Sequence, residues 1–133
     1  MNDSTGLTKD AGWELGVRRT VDAPVDEVWE YIVVDGVRTW LGDTKLGLHK
    51  GDAYETTDGT RGEIRSRTDE LRLRITWQPD DWDHDSTFQI TLTPAAGGTT
   101  IGFHHERLAS EDERARMLEH WTGVMDRVVA ELA

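Results

Sequence analysis

Apolar and polar residues alternate along much of this chain, and the period of that alternation changes at recognisable punctuation marks. Trp13, Leu15, Val17 and Val21 share one face at a period of two, which predicts a half-buried strand. Asp22-Ala23-Pro24 ends it. Val25, Val28, Trp29 and Ile32 then recur at helical spacing, with Pro24 at a favourable entry and Asp26 and Glu27 near the positive end of the helix. A helix over 25–33 and a short second one over 37–41 are expected. Beyond Gly47 the period returns to two, with strands predicted over 53–57, 62–68 and 71–78. Asp58-Gly59 supplies a hairpin signal between the first two. Leu71, Leu73, Ile75 and Trp77 alternate with Arg72, Arg74 and Thr76. An acidic loop over 79–85 leads to a strand around Phe88, Ile90 and Leu92. Pro94 to Gly98 reads as a turn, and 99–107 as a last strand with Ile101 and Phe103 inward.

Ser110 and Glu113 have the spacing of a capping box. After them Met117, Leu118, Trp121, Val124, Met125, Val128, Val129 and Leu132 form one wide apolar stripe on a helix of about twenty residues, roughly 30 Å long. A meander of strands followed by one amphipathic helix predicts an α+β layer with the helix on one sheet face. Residues 1–12 are expected to be a loose polar tail and 13–133 a single domain.

Composition narrows the function classes. The formal net charge is −11 across 133 residues, which opposes nonspecific binding to nucleic acid or anionic membranes. No stretch is apolar for long enough to span a bilayer, so no membrane insertion is expected. Without cysteine there is neither a disulfide framework nor thiolate chemistry, in keeping with a cytoplasmic location. Six tryptophans in so short a chain point to an aromatic core or cavity wall.

Several motifs sharpen the fold. Val21-Asp22-Ala23-Pro24-Val25-Asp26-Glu27-Val28-Trp29 resembles the signature that opens many START-like (SRPBCC) proteins. Trp40, Gly62, Thr76-Trp77, Leu92-Thr93-Pro94, Gly98-Thr99 and His120-Trp121 resemble one branch, that of the C-terminal domain of the activator of the heat-shock-protein-90 ATPase. The resemblance covers about residues 13–133. It implies the helix-grip fold, in which a curved antiparallel sheet wraps a long C-terminal helix, with two short helices after the first strand. One departure is His120, where relatives often carry glycine. The eukaryotic co-chaperone also uses an N-terminal domain, which the residues before Trp13 do not supply, so chaperone activation is not carried over.

The resemblance further implies a pocket for a small hydrophobic molecule, such as a lipid or polyketide, between the sheet and the terminal helix. Its expected lining is Tyr54, Ile64, Ser66, Leu73, Ile75, Trp77, Phe88, Ile90, Ile101, Phe103 and His105 from the sheet and Met117, Trp121 and Met125 from the helix. Trp29 and Trp40 would close one end. Plain core packing accounts for the same spacing. Non-catalytic binding is the first reading. A protein-interaction or co-chaperone-like module is the second. A polyketide cyclase or aromatase is the third, for which Tyr54, Ser66 and His105 are the available polar groups.

Other chemistry finds little support. His104 and His105 are neighbours on a strand and point to opposite faces. His49 and His84 lie in expected loops without a partner at ligand spacing. With no cysteine and no paired-histidine motif, neither a metal nor a cofactor is expected. Asp81 to Asp85 imitates a calcium loop, but Ser86 stands where the glycine belongs and Leu92 where the glutamate belongs. Arg61, Arg65, Arg67, Arg72 and Arg74 form a local basic stripe. Charge pairing with Glu63 and a docking site for an acidic partner are both open readings of it.

Overall fold

The computed structural model describes residues 7–8 and 12–133. A two-residue strand β1 (Leu7–Thr8) pairs with the start of β2 (Gly12–Val21). The rest of the expected tail lies outside the described residues. After β2 come α1 (Val25–Glu30), a π-helical turn (Tyr31–Asp35) and α2 (Val37–Trp40). Then follow β3 (Ala53–Glu55), β4 (Arg61–Thr68), β5 (Arg72–Trp77), β6 (Ser86–Ala95), β7 (Gly98–Leu108) and α3 (Glu111–Leu132).

The strands form one antiparallel sheet in the order β1-β2-β7-β6-β5-β4-β3. β3 to β7 are a simple meander, and β2 closes onto the last strand, with Val17 opposite Phe103. This open, curved sheet with α3 across one face is the helix-grip fold. Leu15, Val17, Ile64, Leu73, Ile75, Phe88, Ile90, Ile101 and Phe103 are buried between sheet and helices together with Trp121, Val124, Met125 and Val128 of α3. Period-two alternation on the strands and the helical stripe on α3 therefore meet in one core.

The predicted first helix is real but ends differently. It continues as a π turn in which the Gly36 amide reaches the Tyr31 carbonyl at 2.6 Å. A Cβ on Gly36 would sit 2.4 Å from the Tyr31 ring, so any larger residue there would displace that ring. Tyr31 and Thr39 both donate to the Glu131 carboxylate (2.7 and 2.8 Å), which ties the early helices to the end of α3. Ser110 caps α3 by accepting the Glu113 amide. Glu113 returns a bond to the Ala109 amide rather than to that of Ser110.

Three local expectations change. Leu71 is exposed, in the turn after Glu70, whose φ is +63°. Pro94 and Ala95 belong to β6, so the turn is confined to Ala95–Gly98, with Gly97 at φ +76°. Ser66 does not face the core. A bulge between Ile64 and Ser66 pairs Ser66 with Arg74 on the outer face and Arg67 with inward-facing Leu73, because one extra residue shifts every later side chain across the sheet. Arg67 then lies over the Trp29 ring, 5.7 Å from its centroid, and donates to the Gly47 carbonyl.

Candidate binding site

The expected lining residues converge on the inner face, except Ser66. Trp29, Trp40, Tyr54, Ile64, Leu73, Ile75, Trp77, Phe88, Ile90, Ile101, Phe103, His105, Trp121 and Met125 are all buried, and Met117 is half-buried. They lie against one another. The Trp121 ring stacks on Phe88 with centroids 3.9 Å apart and stands edge-on to Phe103. Trp40 also stacks on Phe88 and donates its indole N–H to the Ile32 carbonyl.

The polar groups on this face bond to one another. The Trp121 indole N–H, which can only donate, reaches His105 Nδ1 at 2.9 Å. His105 therefore carries its proton on Nε2 and donates to Ser86 Oγ at 2.8 Å. Ser86 in turn donates to the Trp77 carbonyl at 2.6 Å. Burial, with the neighbouring charges of His120, His104 and His84, pulls the His105 pKa down to about 3, so the ring is a neutral, fully bonded core group. Tyr54 donates to the Thr76 carbonyl at 2.6 Å. Its path crosses Gly62, where a Cβ would sit 2.0 Å from that carbonyl oxygen. Among the described residues, no buried side-chain nitrogen or oxygen lacks a partner. Tyr54, Ser66 and His105, the groups an enzyme of the cyclase kind would use, are not brought together.

One end of the inner face is covered by the acidic loop. Trp82, half-buried, stands edge-on to Trp77 at 5.3 Å and stacks on His84. Gln78 donates to its carbonyl. His84 pairs with Glu113 at 3.0 Å. Burial alone would lower the His84 pKa, but hydrogen bonds to Glu113 and Asp85 and the nearby carboxylates outweigh it and the net shift is upward. His120, exposed on α3, sets its ring 4.6 Å from Trp121 and 6.1 Å from Trp77, at the rim of the same cluster.

The outer face is different. A trough of about 880 Å³ crosses β3 to β7, lined by Arg61, Arg65, Arg74 and Arg107 with Glu55, Glu63, Asp85, Thr76, Gln78 and Thr87. Arg65 pairs with Glu63 at 2.9 Å along the same strand, and Arg107 with Asp85 at 2.7 Å. Arg74 bonds Glu106 and Gln89. The Arg61 side chain is exposed and, among the described residues, makes no hydrogen bond or ion pair. Arg74 was legible as an outward residue from alternation, whereas Arg61 precedes the strand expected over 62–68. Arg107 was not legible, because it depends on a bulge where its φ is +64°. Ser86 was legible in principle, two residues before inward Phe88. His84 and Glu113 are 29 residues apart, and no spacing rule joins them.

The chain belongs to the family of activator of Hsp90 ATPase homolog 1-like proteins, whose pattern it matches over residues 22–133. CalU16 from Micromonospora echinospora is similar in structure at 25% identity and a TM-score of 0.76, over 93% of this chain and 87% of that one. DynU16, described as a putative protein of the dynemicin biosynthetic locus, aligns at 24% identity and a TM-score of 0.79, over 90% of this chain and 46% of its own. The Aha1 of Colwellia psychrerythraea, described as a dimer, shares the fold at 12% identity and a TM-score of 0.76, over 90% and 95% of the two chains. No curated protein matches the chain in sequence. Among the described residues no helix is long and apolar enough to cross a membrane.

Proposed function

We propose that this chain is a non-catalytic binding domain that docks a polar, carboxylate-bearing protein segment in the trough on the outer face of the sheet. The observation that carries this reading is the trough itself: about 880 Å³ with four guanidinium groups on its walls, Arg61 among them without a side-chain partner among the described residues. Guanidinium groups suit carboxylates because the planar fork gives two parallel hydrogen bonds. Three acidic residues in the same walls favour a segment of mixed rather than uniformly negative charge. The Hsp90-activator relatives support a protein as the occupant. The test is a titration of isotope-labelled protein with short peptides that carry both glutamate and lysine, at low and moderate salt. Amide shifts are expected at Glu63, Thr76 and Gln78, with at least a tenfold loss of affinity in Arg61→Glu. Shifts confined to α3, or none, would overturn the reading.

A second reading follows from Trp82. This half-buried ring covers the Trp77–Trp121 cluster and is held by one loop. Displacing it would admit a small apolar molecule between sheet and α3, and the DynU16 relative from a biosynthetic locus supports that occupant. Native mass spectrometry of freshly purified protein separates the readings. A copurifying apolar compound, together with altered tryptophan emission, favours the second.

A further inference from the structure

We infer that Glu14, His104 and Glu106, brought together across β2 and β7 on the outer face of the sheet, form a site for a borderline divalent cation of the zinc class. Nothing in the sequence pattern marks it, because Glu14 is 90 positions from His104 and only the strand pairing unites them. His104 and Glu106 share a face by their two-residue spacing. Glu14 is aimed at them by a bulge. Trp13 pairs with Leu108 but Leu15 with His105, so Glu106 and Arg107 together face Glu14, and Arg107 takes φ +64° to allow it. Bulges re-aim side chains in this way beside functional sites.

The donor atoms are close and well supported. One ring nitrogen and one oxygen of each carboxylate all lie within 4.8 Å of one another. Nε2 of His104 is 3.4 Å from Glu14 Oε2. That is long for a charged hydrogen bond, and it matches the separation of two ligands on one tetrahedral zinc, about 3.4 Å for metal bonds of about 2.1 Å. Glu106 Oε2 is 4.0 Å from Nδ1 of the same ring, so a modest rotation of the side chains completes the set. The other oxygen of Glu106 accepts from Arg74, which is itself held by Gln89 at 3.1 Å. Glu106 is thereby oriented while Oε2 stays available, the outer-shell support that metal carboxylates use. His104 is 37% exposed and Glu14 29%, so an ion has access. A groove of about 350 Å³ beside the ring, passing Gly16 and Gly102, leaves a coordination position open to water. One imidazole and two carboxylates without sulfur suit Zn²⁺, Co²⁺ or Mn²⁺ rather than Cu⁺, and the chain's net charge of −11 favours cation approach.

The test uses the whole protein and zinc chloride by calorimetry in a non-chelating buffer. One saturable ion per chain is expected, with affinity reduced at least 100-fold in His104→Ala and at least tenfold in Glu14→Gln, and no change in His49→Ala. Cobalt should give visible d–d bands that His104→Ala abolishes. His104 and Glu14 are partly exposed, so both variants should keep the wild-type circular dichroism spectrum. No saturable binding, or binding retained in both variants, would overturn the site. Shifts of amide signals around Asp26 and Glu30 of α1 in place of β2 and β7 would do the same.

Discussion

The two faces of one sheet follow opposite rules. On the inner face, apolar rings fill the space against α3, and the few polar atoms form a closed chain from Trp121 through His105 and Ser86 to the Trp77 carbonyl. On the outer face, charges outnumber apolar groups and their pairs are partly exposed, as in Arg65–Glu63 and Arg107–Asp85. Low dielectric makes each inner polar bond costly to break, whereas solvent weakens each outer pair. The lining that the resemblance implies lies inside, whereas the trough of about 880 Å³ lies outside.

The largest effect is expected at Trp121, which is 0% exposed and stacked on Phe88. Trp121→Ala should cost about 3–5 kcal/mol, from lost burial and the cavity left behind. It also removes the donor to His105. Chemical denaturation would measure it. A cost near 1 kcal/mol would mean that the inner face is loosely packed, and would favour the apolar-ligand reading.

Acid should act on the same network. His105 has a folded pKa of about 3 against an ordinary 6.5, so the unfolded chain binds the proton first. Stability from this group is full above pH 6.5 and falls as pH drops from there toward about 3, by up to roughly 5 kcal/mol over the range. Ring NMR should show a neutral imidazole with its proton on Nε2 still present at pH 5. A titration near 6.5 would place His105 in water and break the contrast between the faces. Ser86→Ala should cost less, about 1–3 kcal/mol, by leaving the His105 Nε2–H buried without an acceptor.

How much of this was readable beforehand depends on the range of the cause. Local periodicity sufficed for the elements and for nearly all of the inner face, since Leu73, Ile75, Phe88 and Ile101 needed only alternation. Ser66 failed because a bulge one residue earlier reversed the face, and bulges leave no reliable mark in composition. The same limit hid Glu14 beside Glu106. The His105 bonds needed three-dimensional register: Phe88 lies opposite His105 and Trp77 opposite Ser86. That no described residue accepts from the Arg61 side chain is likewise a property of the folded surface.

His84 sits between the two regimes. Its pKa is raised on balance, although burial opposes the carboxylates, so its pairing with Glu113 stabilises the fold below about pH 6.5 and that contribution is lost as pH rises through the folded value. His84→Asn should therefore cost no more than about 1 kcal/mol at pH 6 and less at pH 9. Greater loss at pH 9 would show that stacking on Trp82, rather than charge, holds the loop.

The smallest expected effect is the most selective one. Arg61 is exposed and its side chain is unpaired among the described residues, so Arg61→Ala should change stability by no more than about 0.5 kcal/mol. Arg65 provides a control, because its guanidinium is already engaged by Glu63 at 2.9 Å. If the trough docks carboxylates, Arg61→Ala should weaken peptide binding more than Arg65→Ala, since a partnered guanidinium must first surrender its own carboxylate. The difference should shrink as salt rises, because exposed charges are screened within about 10 Å at 0.1 M. Equal effects of the two variants at every salt concentration would mean that the peptide senses only the general charge of the surface, and the outer face would then have no built site at Arg61.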